Sequence, residues 1–206
     1  MPHVTSVIFD LGGVLLHWDT RAIAAAAFGD PQEQEAVHRA VFEHPDWLEL
    51  DRGTLDEEEA VRRFAGRSGQ PEPRLRELME QVRAHLSPQP ESVALLADLR
   101  DRGVRLYCLS NMHARSVAYL QQHHAFLAWF DGAVFSALVR RVKPDPWIYR
   151  HLLGQHGLDP AASAFVDDTP ENVEAARRLG LHGVLFTSAD ACRLQLEPLL
   201  APGAAG

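Results

Sequence analysis

The sequence predicts an α/β fold, a doubly wound parallel sheet interrupted early by a small, all-helical insertion. Three observations carry that expectation. Five short segments are almost continuously apolar, helical patterns with cap residues alternate with the later ones, and about 80 residues lie between the first apolar segment and the next core helix.

The apolar segments are 4–10, 104–110, 133–136, 164–168 and 183–187. Runs of this kind suit strands buried on both faces, as in a parallel sheet covered by helices. The stretch 91–102 places Val93, Leu96 and Leu99 on one stripe and stops at Gly103, a residue suited to a left-handed helix terminus. Asp145 and Pro146 form a cap and first-turn pair for a helix that buries Ile148, Leu152 and Leu153 and ends near Gly157. Thr169 and Pro170 repeat the device ahead of Val173, Ala176 and Leu179, with Gly180 closing the helix. Alternation of this sort gives a Rossmann-like core.

The interval between Asp10 and Glu91 is too long for an ordinary crossover and must hold something folded. Helix formers fill 21–28, 32–42, 55–65 and 74–86, and Thr54 with Glu57 reads as a capping box. The expected organisation is therefore a core made of 1–16 and 88–206, with a helical cap over 17–87. No internal repeat is evident, and the only biased tract is a small-residue tail after Pro202.

The chain has 206 residues, 46% hydrophobic and 23% charged, with 14 Gly and 13 Pro, which excludes collagen, coiled coil and wholesale disorder. Its formal net charge is -8, from 20 basic and 28 acidic residues, with no long basic run. That removes the electrostatic footprint of a general nucleic-acid binder. No apolar run reaches the roughly 20 residues of a membrane helix. Cys108 and Cys192 are far apart in sequence and no basic-then-apolar leader follows Met1, so two reduced thiols in a cytoplasmic protein are expected. The 11 histidines do not fall into zinc-motif spacings. No dimerisation signal stands out.

In an open parallel sheet, ligands bind beyond the carboxyl ends of the strands. The first strand ends in Asp10-Leu11-Gly12-Gly13, the second in Leu109-Ser110-Asn111 and the fourth in Asp167-Asp168, while Lys143 lies just before the Asp145 helix. Acidic clusters placed side by side repel unless a cation sits among them, and Mg²⁺ is a hard ion that takes carboxylates, carbonyls and waters. A carboxylate beside such an ion serves as a nucleophile toward phosphorus, with Lys143 and the Ser110 hydroxyl available for phosphate oxygens. Gly12 and Gly13 allow the tight turn and close approach this requires.

These four motifs, Asp10 to Leu15, Leu109-Ser110-Asn111, Lys143-Pro144 and Phe165 to Asp168, resemble in order and spacing those of the haloacid dehalogenase-like hydrolase superfamily. The insertion is similar to that superfamily's helical cap of the first type. Residues 47–53 and 54–59 look like the cap of the glucose-1-phosphate phosphatase and epoxide-hydrolase amino-terminal branch.

The resemblance implies a Mg²⁺-dependent phosphatase for a small phosphomonoester, such as a sugar phosphate. Asp10 would be the nucleophile that becomes an aspartyl-phosphate, and a metal ligand with the Gly12 carbonyl and Asp168. Asp167 would reach the ion through water, and Asn172 stands where relatives often place a supporting acid. Ser110, Asn111 and Lys143 would hold the phosphoryl group. Most phosphatases of the superfamily carry a second aspartate two residues after the nucleophile as acid/base, and this chain has Gly12 there. That departure raises a catalytically weak phosphate-binding or regulatory protein as one alternative. A 2-haloacid dehalogenase is another, although that branch's Tyr-Gly-Thr pattern is missing from the first motif. His17 is the candidate substitute acid/base or substrate contact, and Trp47 a candidate wall of the substrate pocket.

Overall fold

The structure is a computed structural model that describes residues 3–200; the tail following Pro202 lies outside them. Five parallel strands form one sheet in the order β3-β2-β1-β4-β5. They are β1 (Ser6–Phe9), β2 (Arg105–Ser110), β3 (Gly132–Phe135), β4 (Ser163–Asp167) and β5 (His182–Leu185). Each falls on one of the expected apolar segments, most with shorter ladders.

Alternation along the strands splits the core into two layers. Val7, Phe9, Leu106, Cys108, Ala164 and Val166 pack on one face with Leu95, Leu96 and Leu99 of α6 (Pro90–Asp101). Ile8, Tyr107, Leu109 and Phe165 pack on the other with Ile148, Tyr149 and Leu152 of α9 (Pro146–His156). Both sheet faces are therefore dry, which is why the strands read as continuous apolar runs. The core is completed by α7 (Ala114–His123), α8 (Ser136–Val139), α10 (Pro170–Arg178) and α11 (Ala189–Leu196).

Of the two expected caps on the core helices, one forms and one differs in detail. Asp145 accepts from the Trp147 amide at 2.9 Å as anticipated. At α10 the Thr169 side chain makes no cap bond; instead Asp167, from the strand end, accepts the Thr169 amide at 2.9 Å.

Between β1 and α6 lie α1 (Thr20–Ala27), α2 (Pro31–Val41), α3 (Pro45–Arg52), α4 (Glu57–Ser68) and α5 (Glu72–His85). They enclose an apolar centre of their own, including Ile23, Val37, Val41, Phe64, Leu75 and Leu78. The expected Thr54–Glu57 capping box is displaced by two residues: Asp56 caps α4 by accepting from the Glu59 amide at 2.9 Å. Helix α3 is not announced by periodicity, because its buried side chains are Asp46, Leu50 and Asp51 rather than an apolar stripe.

The two segments that join the helical insertion to the sheet run side by side. His17 donates its amide to Ser87, Gln89 donates to Leu15, both at 2.9 Å, and Leu16 bridges Pro88. The C-terminal end of α3 then docks back on the core. Gly53 closes it with φ +73°, and a Cβ there would meet the Ala137 carbonyl oxygen at 2.5 Å. Gly53→Ala combines a left-handed φ with that clash, so it is expected to cost about 1–3 kcal/mol. Equilibrium urea unfolding checks this, and an unchanged midpoint would contradict the docking. Among the described residues, no helix is long and apolar enough to cross a membrane.

Candidate active site

The strand order makes β1 the centre of the sheet, with β2 on one side and β4 on the other. Phe9 is level with Cys108 and with Val166, so one step along Asp10 comes level with Leu109 and Asp167, and Ser110 ends β2 one residue further at the same edge. A cleft opens there between the sheet and the helical insertion. Asp10, Gly12, Ser110, Asn111, Lys143 and Asp168 line its floor, and Trp18, Trp47, Val82 and Leu86 of the insertion line its roof.

Lys143 organises the floor. Its Nζ lies 2.9 Å from Asp10 and 2.6 Å from Asp167, and the side chain is almost fully buried. Burial would lower the ammonium, but the Asp10 and Asp167 carboxylates outweigh it and hold it above its ordinary value. Burial pushes the Asp10 carboxyl up to about 6; Lys143 opposes that rise and Asp167 adds to it. The Asn111 side chain fixes the Lys143 backbone from both sides, donating to its carbonyl at 3.0 Å and accepting from its amide at 2.7 Å. Asn111 therefore acts on the position of the lysine.

The two acids at the end of β4 are in different surroundings. Asp167 is fully buried and its oxygens are taken by Lys143, by the Asn172 amide at 3.0 and 3.2 Å, and by the Thr169 amide. Asp168 is exposed to the cleft, and burial of part of its carboxyl together with Asp167 raises its pKa. Gly13 has φ +75°, and a Cβ there would lie 2.7 Å from the Asp168 carboxyl carbon. Only glycine leaves Asp168 room to lean over the loop.

Asp10, Asp167 and Asp168 each bring an oxygen within 4.8 Å of the others. Three carboxylates against one ammonium leave an excess of two negative charges, and the donors are all hard oxygens. The group thus fits a divalent hard cation such as Mg²⁺, with Asp10 and Asp168 the carboxylates that have oxygens to spare.

His17 is exposed and does not line the cleft; the neighbouring Trp18 does. Trp47 lines it, its ring tilted 35° from that of Trp18 with ring centroids 5.8 Å apart. A cluster that no spacing rule announces completes the wall: His113 is buried, with Nδ1 3.2 Å from Asp51 of α3 and Nε2 2.8 Å from the Ser116 hydroxyl. The Ser136 hydroxyl donates to the Asp51 carbonyl at 2.5 Å. These bonds tie the insertion to the core at the cleft's edge. The one signal for them in sequence is a histidine shortly after the Ser110-Asn111 pair, and its acid partner is 62 positions away.

The chain is 29% identical over 195 residues to the sesquiterpene phosphatase astK of Aspergillus oryzae, covering 95% of this chain and 96% of that protein. It is 28% identical over 197 residues to flavin mononucleotide hydrolase 1 of Arabidopsis thaliana, covering 94% and 76%. A HAD family enzyme of Bacteroides thetaiotaomicron, solved in complex with magnesium and inorganic phosphate, superposes with a TM-score of 0.71 at 20% identity, covering 89% of this chain and 94% of that one. The model of the haloacid dehalogenase-like hydrolases matches residues 4–180, so with its fold and its strand-end motifs the chain belongs to that hydrolase family.

Proposed function

We propose that the protein is a phosphatase that cleaves a small phosphomonoester through an aspartyl-phosphate on Asp10, with Mg²⁺ as cofactor. The observation that carries this is a buried carboxylate at the sheet's central strand end, 2.9 Å from a buried lysine and beside the unspent acid Asp168. The relatives' names as phosphatase and mononucleotide hydrolase support it. Asp10, the Gly12 carbonyl and Asp168 would hold the ion, which offsets repulsion between carboxylate and phosphate. Cys108 and Cys192, both buried free thiols, support a cytoplasmic setting.

In this reading an Asp10 oxygen forms a bond to phosphorus as the bond from phosphorus to the leaving oxygen breaks. Lys143 neutralises charge on the phosphoryl oxygens, and Ser110 donates to one of them. Water then attacks the acyl phosphate, phosphate departs and the Asp10 carboxylate is restored. Phosphate release from p-nitrophenyl phosphate, with and without Mg²⁺, tests this; no release under either condition would overturn it.

Gly12 supports a second reading, slow turnover. No carboxyl at that position protonates the leaving oxygen, and such catalysis is typically worth about 10² to 10⁴ in rate. A Cβ on Gly12 would meet nothing nearer than Trp18, at 3.7 Å, and Gly12 has no positive φ. The backbone and the space at the Cβ therefore admit a side chain there. Gly12→Asp is expected to raise kcat on alkyl phosphates by about tenfold or more; steady-state rates without a gain would place the rate limit elsewhere.

A further inference from the structure

The half of the cleft beyond the phosphate end has a definite chemical character. Trp18, Trp47, Val82, Leu86 and Met112 supply its apolar wall. Trp18, Phe42 and Trp47 form one aromatic cluster, with centroids 4.9 to 6.3 Å apart, which holds the two tryptophans in place. The polar side chains between them are spoken for within the protein: Asn111 by Lys143, and His113 by Asp51 and Ser116.

Charge is equally selective. Among the described residues Lys143 is the only lysine or arginine lining the cleft, and both its carboxylate partners lie at the phosphate end. On the far side the carboxylate Asp51 already holds His113 at 3.2 Å, so a second anionic group on the ligand would meet an acid and find no lysine or arginine. A polyhydroxylated leaving group would lose water there without gaining partners, because buried polar groups left unpaired are costly.

Resting on the phosphatase reading above, we infer that the substrate class is the monophosphate esters of apolar alcohols, alkyl, isoprenoid or aryl, with Trp18 and Trp47 determining that selectivity. The alcohol lies along the tryptophan wall while the phosphate meets Lys143 and Asp10. Any second phosphate or carboxylate on the ligand is rejected.

The test compares n-octyl phosphate with glycerol 1-phosphate, both primary alkyl esters of similar intrinsic reactivity, and with 2-phosphoglycolate, in the presence of Mg²⁺. Octyl phosphate is expected to have kcat/KM about 30-fold or more above both, since each buried methylene contributes. Trp47→Ala is expected to lower the ratio of octyl phosphate to acetyl phosphate turnover by about tenfold. Glycerol 1-phosphate or 2-phosphoglycolate turned over as well as octyl phosphate would overturn the inference, as would a Trp47→Ala ratio that does not move. If none of the three esters releases phosphate and the activated anhydride acetyl phosphate does not either, the phosphatase reading is what fails. Calorimetry of octyl phosphate against glycerol 1-phosphate then decides the ligand class by itself, tighter octyl binding supporting it and equal or weaker binding overturning it.

Discussion

Asp10→Asn is expected to lower phosphate release by about 10³-fold or more while leaving the fold intact. An amide oxygen is a poor nucleophile, and losing the attacking group removes the covalent route altogether. The same change relieves charge crowding, because Asp10 shares its surroundings with Asp167 and Asp168, and burial and Asp167 together disfavour its charged form. The melting temperature should therefore stay level or rise as turnover disappears. Initial rates on p-nitrophenyl phosphate together with thermal unfolding measure both effects. Retained turnover would remove Asp10 from the chemistry. Lost turnover with a large fall in melting temperature would mean that the variant had unfolded, and Asp10→Ser, smaller and neutral, would then separate the two causes.

Lys143→Met should produce the opposite pairing, with both activity and stability falling. The lysine lies within 3 Å of Asp10 and Asp167, whose side chains are 12% and 0% exposed. Replacing it by an apolar side chain leaves two buried carboxylates facing each other without a counter-charge. Removing one partner of a buried ion pair typically costs about 3–5 kcal/mol. Urea unfolding at neutral pH without added metal reads this directly. A midpoint close to that of the unaltered protein would show that Lys143 is not what balances the acids.

The strand ends were legible in the sequence because a buried parallel strand is an apolar run, and the first polar residue after it must lie at the carboxyl edge. That rule alone brought Asp10, Ser110 and the Asp167-Asp168 pair to one place. What it did not give was the division of labour between Asp167 and Asp168, which depends on β4 turning one side chain toward Lys143 and the other toward solvent. Helix α3 escaped because its inward positions carry acids, Asp46 being matched by Arg67 at 2.7 Å, so the usual hydrophobic spacing is broken. His17 and Trp18 show the same limit at one-residue scale. Both lie at the junction, and only the local course of the backbone decides that the indole faces the cleft and the imidazole faces water.

The paired junction segments at Leu16 and Pro88 have a mechanical consequence. Because the chain leaves the sheet and returns to it at adjacent points, the five intervening helices hang from a two-legged stem. A tilt of that bundle about the stem must first break its second fastening, the bonds from His113 and Ser136 to Asp51.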